Sequence, residues 1–178
     1  MFLDESGFLL APLVRRTLAP RGQTPVLPRW DRRDRISAIS CLTLSPQEKR
    51  PGLYFELLPD DTNVTAAHVV AFLRKLKRSL PRFTVVWDRH GIHSHAGLVR
   101  TFLGEHPEVV AEDFPGYVPE LNPDEGVWGW TKYGRLANFA PADTRELRAR
   151  VSAELTQLKV RPHLLYSFMD HTNLPLQI

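Results

Sequence analysis

The chain has 178 residues, 43% of them hydrophobic, a formal charge of +3 and one cysteine. That is one domain's worth of chain and long enough to bury a core, while a single cysteine excludes an intramolecular disulfide and a cysteine-built zinc cage and fits a reducing compartment. No apolar run approaches the roughly 18 residues of a membrane span, and the early stretch Phe8 to Val14 is short, contains Pro12 and follows Asp4 and Glu5 where a secretory leader would be positive; the expectation is a cytoplasmic protein with no membrane partner.

The charge is unevenly spread. Between Arg15 and Arg35 seven arginines stand against Asp31 and Asp34, a local balance of +5 that leaves the rest of the chain at −2. A phosphate-binding segment kept apart from a carboxylate cluster has this distribution, because arginine pairs with phosphate while acids hold metal; a solvated arginine-rich loop has it too.

Taken in order, Phe2 and Leu3 read as the end of a buried strand at Asp4, with Ser6 and Gly7 as the turn after it. Gly22, Pro25 and Pro28 make residues 21 to 34 an extended arm or loop. Strands are expected over Ile36 to Leu44 and Gly52 to Leu58. A helix follows from about Thr65 to Leu80, with Val69, Phe72, Leu73, Leu76 and Leu80 at helical spacing and Arg74, Lys75, Lys77 and Arg78 on its other face. Phe83 to Trp87 is a continuous apolar run, the pattern of a strand buried on both faces, and Asp88 ends it. Ser94 is placed to cap a second helix bearing Leu98, Val99, Phe102 and Leu103, and Val109 to Phe114 reads as a fifth strand. Asn122 and Pro123 mark a helix start with Glu125 in its first turn. A last helix begins at Asp143, with Glu146 as its capping partner and Leu147, Val151, Leu155 and Leu158 on one face. Three strands followed by alternation with helices give a mixed α/β sheet covered by helices. The expectation is a single domain over 1–178, with 139–178 a C-terminal helical extension.

Three acids stand out: Asp4, Asp88 and Glu125. If the strands that carry Asp4 and Asp88 are neighbours, their carboxylates emerge side by side and repel unless a cation lies between. Two Mg²⁺ ions roughly 3.5–4 Å apart clamp the attacking and leaving oxygens of a phosphodiester, and they take carboxylates from different elements. Each acid also has a plainer reading: Asp after a strand is a common turn residue, and Asn-x-x-Glu at a helix start is a cap. His90, His93 and His95 are candidate zinc ligands, though their spacing matches no closed site. Trp128 and Trp130 read as core and interface aromatics, and Cys41 as a buried small hydrophobe.

Ordered motifs over Phe2 to Asn138 resemble the DDE-type endonuclease domain of insertion-sequence transposases in the mariner-like superfamily. FLDESGF carries that family's first acid at Asp4, RGQTPV resembles its following arginine-glycine turn, VVWDRHGIHSH its second acid at Asp88 with a histidine at His93, and FPGYVPELNPDEGVWGW its most recognisable block, with the third acid at Glu125. The resemblance implies a ribonuclease H-like five-stranded mixed sheet flanked by helices. It also implies two Mg²⁺ or Mn²⁺ ions held by Asp4, Asp88 and Glu125, which first activate water to nick transposon ends and then the freed 3′ hydroxyl to attack target DNA. Double-stranded DNA, as terminal repeats and target, is the implied partner, with phosphate contacts expected from Arg15, Arg16, Arg21, Arg29, Arg32, Arg33, Arg35 and His93. A homodimer and a helix-turn-helix protein from an upstream frame are further implied partners, in a bacterial, nucleoid-associated setting, because transposases of this kind carry helix-turn-helix modules upstream and none is found here. The chain departs from the family pattern at Arg89 (usually Asn), Phe114 (Leu), Val118 (Ser) and Asp124 (Ile). Two other functions fit the same residues: a non-catalytic DNA-binding or regulatory remnant that inhibits a full-length transposase, and a general nuclease without preference for transposon ends.

Overall fold

A computed structural model describes residues 1–27, 34–93, 95–116 and 118–174. Five strands, β1 (Phe2–Leu9), β2 (Arg35–Leu44), β3 (Pro51–Leu57), β4 (Phe83–Trp87) and β5 (Val109–Asp113), form one sheet in the order β3-β2-β1-β4-β5. β1, β2 and β3 run antiparallel as a meander, and β4 and β5 lie parallel to β1. Among the described residues five α-helices flank the sheet: α1 (Ala66–Ser79), α2 (Gly97–Glu105), α3 (Asp124–Gly129), α4 (Thr144–Lys159) and α5 (Pro162–His171). This is the mixed sheet flanked by helices that the resemblance implies.

The period-2 pleat sorts the core into two layers. Leu3, Ile39, Cys41, Val85 and Trp87 face α1 and α2, where Val69, Phe72, Leu73, Leu76, Val99 and Phe102 complete one cluster. Phe8, Ile36, Ala38, Leu42 and Leu53 face the other way, onto Val127 and Trp128 of α3, Leu147, Val151, Leu155 and Leu158 of α4, and Leu165 and Met169 of α5. The stripe expected on α4 is thus the buried one, and its Asp143 cap accepts from the Glu146 backbone at 2.7 Å.

Three local expectations change. Ser6 and Gly7 are not a turn: β1 continues to Leu9, with Ser6 paired to Ala38 and Gly7 to Ser37, because Phe8 and Leu10 keep the alternation and are buried at 3% and 1% exposure. Asp4 therefore sits inside a strand of eight residues rather than at the end of a short one. β4 is not the strand buried on both faces; Thr84 is exposed, and β2 fills that role with seven consecutive buried residues, because α3, α4 and α5 pack over β1, β2 and β3. The expected cap Ser94 lies outside the described residues, and α2 has Ala96 at its N-cap position. Beyond α3 the chain runs straight into a π-helical segment, Trp130–Arg135, in which the Leu136 amide reaches back to the Thr131 carbonyl at 2.9 Å. Such segments widen a helix by one residue and often occur at functional sites.

Candidate active site

The parallel register that pairs Phe2 with Val86 runs on to set Asp4 level with Asp88, the residue that follows β4. Asp4 is half-buried; Asp88 is exposed. Glu125, exposed in the first turn of α3, joins them, and the three acids line one cleft of about 510 Å³ together with Arg89, His90, Phe114 and Asn122. The sheet brings together the two aspartates and the helix adds the glutamate, so residues spread over more than 120 positions share one opening.

Their charges act on one another. Burial, then the charges of Glu125, Glu5 and Asp88, push the Asp4 carboxyl up from its ordinary 3.8 to about 7. Among the described residues no three His, Cys, Asp or Glu side chains are gathered tightly enough to cage an ion unaided. The donor set nevertheless fits a hard cation of the Mg²⁺ type, which takes one or two carboxylates and completes its shell with water and substrate phosphate. The same observation disposes of the zinc reading: His93 is buried, while His90 and His95 face solvent.

Asp88 is held from behind. The His90 amide donates to its Oδ1 at 2.9 Å, and His93 Nδ1 lies 2.8 Å from that oxygen and 3.0 Å from the Asp88 carbonyl. His93 Nε2 meets Glu5 Oε1 at 2.9 Å, and the ring stacks on Trp87 at 5.0 Å. Burial lowers the imidazole's proton affinity, but the hydrogen bond and charge of Glu5, with Asp88, outweigh it and raise the pKa to about 9. At neutral pH the ring is therefore a cation with both nitrogens donating. His93 is 1% exposed, so its place is behind the carboxylate; the expected phosphate contact is corrected, since neither nitrogen is free to reach one.

Helix α3 is stitched to the sheet. Trp128 Nε1 donates to Asp4 Oδ2 at 3.1 Å, the Asn122 side chain reaches the Leu3 carbonyl at 3.5 Å and accepts from the Asp124 amide at 3.1 Å, and Ser40 Oγ donates to Asp124 Oδ2. Glu125 does not act as the reciprocal cap for Asn122, whose amide donates instead to the Pro119 carbonyl at 2.9 Å. Asp124, in the family block's isoleucine place, is fully buried, and burial followed by the charge of Asp4 raises its carboxyl well above the ordinary range. Lys132, on the π-helical segment, stands near the acids: burial lowers its pKa, while Glu125 and Asp4 act to raise it.

The arginines are placed less uniformly. Arg16 and Arg21 are exposed on the arm that follows β1. Arg15 is exposed but docked, its guanidinium donating to the Tyr133 carbonyl at 2.9 Å and lying 5.9 Å from that ring. Arg35 is bound to Asn63 and pairs with Leu9, five rungs along the ladder from Asp4 and thus about 17 Å from it at ~3.4 Å per residue. Arg29, Arg32 and Arg33 lie outside the described residues. On α1, Lys75 and Lys77 are engaged by Glu56 and Glu108 rather than free for phosphate.

A family model described as DDE superfamily endonuclease matches residues 1–148. The chain belongs to the DDE superfamily of endonucleases. No curated protein sequence matches this DDE endonuclease. Among solved structures it is similar to the mariner Mos1 paired-end complex with Mg, at a TM-score of 0.66 and 16% identity over 96% of this chain and 52% of that one. A pre-cleavage Mos1 transpososome gives 0.59 and 16% over 99% and 56%, and the catalytic domain of Mos1 mariner transposase 0.52 and 17% over 96% and 80%. At these identities the likeness establishes the ribonuclease H-like fold, and the chain spans about half the length of the paired-end and transpososome chains it matches.

Proposed function

We propose that the chain is the catalytic domain of a DNA transposase, cutting and joining DNA strands at the ends of an insertion sequence with Mg²⁺ or Mn²⁺. The observation that carries this reading is the convergence of Asp4, Asp88 and Glu125 on one cleft from two strands and a helix, with the Asp4 carboxyl raised by burial and by its acidic neighbours. Acids crowded on one cleft repel one another and favour a bound cation, and the solved relatives include Mos1 complexes with Mg and with Mn.

Asp4, Asp88 and Glu125 would hold two divalent ions. When bound, those ions neutralise charge at the phosphodiester and activate the attacking oxygen. The chain's own part is positional. Protonated His93 keeps Asp88 turned toward the cleft, Trp128 holds one oxygen of Asp4, and the stitched helix presents Glu125. Arg89 on the cleft rim, with Arg16 and Arg21 on the arm, supplies positive charge for the DNA backbone, where contacts position without reading sequence. Reading of the terminal repeats falls to a helix-turn-helix module, and pairing of two ends to a second copy of the chain.

The test is Mg²⁺- or Mn²⁺-dependent cleavage of DNA carrying the element's ends, with the sequence-reading module supplied. Asp88→Asn and Glu125→Gln should each lower cutting by more than the roughly hundredfold that loss of an outer-shell partner costs, with DNA retention nearly unchanged. Cutting intact in either variant, or a folded, DNA-binding chain that never cuts, would overturn the reading.

A further inference from the structure

Asp124 is a buried acid directly behind the cleft residue Glu125. It is 0% exposed, one carboxylate oxygen accepts from Ser40, and Oδ1 has no hydrogen-bond partner among the described residues. A buried polar atom left unpaired opposes folding, and an apolar side chain of similar volume would do better in a packed wall. Stability alone gives no reason for an acid here.

Its place in the fold does give one. Ser40 is the residue directly across the β1–β2 ladder from Asp4, so the two side chains share a face of the sheet. Asp124 immediately precedes Glu125 at the start of α3. The Ser40–Asp124 hydrogen bond therefore joins the rung that carries one acid to the turn that carries another. The remaining stitches flank it without duplicating it: Asn122 reaches the Leu3 carbonyl on β1, and Trp128 grips the Asp4 carboxylate itself from one turn further along α3. Remove the Ser40 bond and, among the described residues, the hydrogen bonding that ties the start of α3 to the sheet falls to the Asn122 contact at 3.5 Å.

We propose that the Ser40–Asp124 hydrogen bond is a positioning clasp that sets the separation of Asp4 and Glu125, and with it the affinity of the cleft for divalent metal. Asp124 on this view is a positioning residue that does not itself touch the ion. The inference rests on the reading of Asp4 and Glu125 as metal ligands.

The experiment is Mn²⁺ binding to the DNA-free chain, followed by calorimetry and by the electron paramagnetic resonance of free Mn²⁺, with thermal unfolding in metal-free buffer measured alongside. Ser40→Ala and Asp124→Leu should weaken binding about ten- to hundredfold, the range for residues that orient metal ligands. Asp124→Leu should melt at a higher temperature than the unmodified chain even as it binds Mn²⁺ less well, a divergence that a purely structural role cannot produce. Asp124→Asn keeps an oxygen to accept from Ser40 and should bind Mn²⁺ within about twofold of the unmodified chain, well short of the outer-shell loss. If Asp124→Asn loses binding as completely as Glu125→Gln, Asp124 is a ligand and the clasp is wrong. Unchanged Mn²⁺ affinity in both Ser40→Ala and Asp124→Leu also overturns the clasp, while leaving the metal site intact. If the unmodified chain and Glu125→Gln bind Mn²⁺ equally, the metal site itself falls, and the clasp with it.

Discussion

Glu154 and Asp124 are both buried acids, at 1% and 0% exposure, and the protein treats them in opposite ways. On α4, Glu154 receives Arg135 at 2.7 Å and Arg150 at 3.0 Å, so its charge is matched by two guanidinium groups that also lie over the rings of Trp130 and Phe139. On α3, Asp124 receives one serine hydroxyl and stands among Asp4, Glu5 and Glu125, all of its own sign. One region matches its buried acid with cations of the chain, and the other leaves Asp124 without one. A buried acid without a cationic partner is driven toward its neutral form and still leaves a polar atom unpaired, so the open cleft is the part of the fold whose composition answers to chemistry and the α4 side the part that answers to stability.

Replacing Arg135 and Arg150 together with methionine leaves Glu154 buried and unpaired, and should cost about 3–5 kcal/mol in denaturant unfolding while leaving Mn²⁺ affinity where it was. A loss below about 1 kcal/mol, the level of a surface pair, would show that Glu154 does not need its partners and that the two regions are not opposites.

The open end responds to pH. Below about pH 4 Asp4 is protonated whether the chain is folded or not; from there to about 7 only the folded chain keeps the proton, so stability falls as pH rises through that window. His93, raised from 6.5 to about 9, acts in the same direction: its contribution is complete below pH 6.5 and is lost as pH rises through 9. The metal-free chain should therefore melt progressively lower from pH 5 to pH 9. A bound cation favours the ionised Asp4, so the rise in melting temperature on adding Mg²⁺ should be larger at pH 8 than at pH 5. An equal rise at both values would remove the cation from the explanation of the crowded acids.

Legibility in the sequence divides along the same line. Asp88 and Glu125 can be read directly, because an apolar run ends at one and an Asn-Pro helix start precedes the other. Asp4 is legible as an acid, but its strand is not, since Ser6 and Gly7 imitate a turn; Phe8 and Leu10, two and four residues after Ser6, carry the period-2 signal that extends β1. The cap and stripe of α4 announce themselves, whereas α5 buries only Leu165 and Met169, a single i, i+4 pair too short to mark a helix. The supports of the site are hidden for a different reason. Glu5 meets His93 across 88 positions, Ser40 meets Asp124 across 84, and Trp128 meets Asp4 across 124. Each depends on strand register and on where a helix docks, and no local pattern carries that. The alternation that turns Asp4 to one face and Glu5 to the other becomes informative only once β1 is known to continue to Leu9.

The smallest of these effects lies on the seam between the two regions. Gly126, directly after Glu125, faces Phe168 of α5 so closely that a Cβ there would fall 2.8 Å from the Phe168 Cβ and 2.7 Å from its Cγ. Those atoms sit at the root of the side chain, so rotating the ring gives no relief; the helices must part. Gly126→Ala should thus cost about 1–3 kcal/mol, the range for overpacking a filled core, and should weaken Mn²⁺ binding because the displaced turn carries Glu125. Phe168→Ala, which empties the space beyond its Cβ, should recover part of both losses when combined with Gly126→Ala. Energies that simply add in the double variant would mean the two residues are not coupled, and that α5 braces the fold without bearing on where the third acid stands.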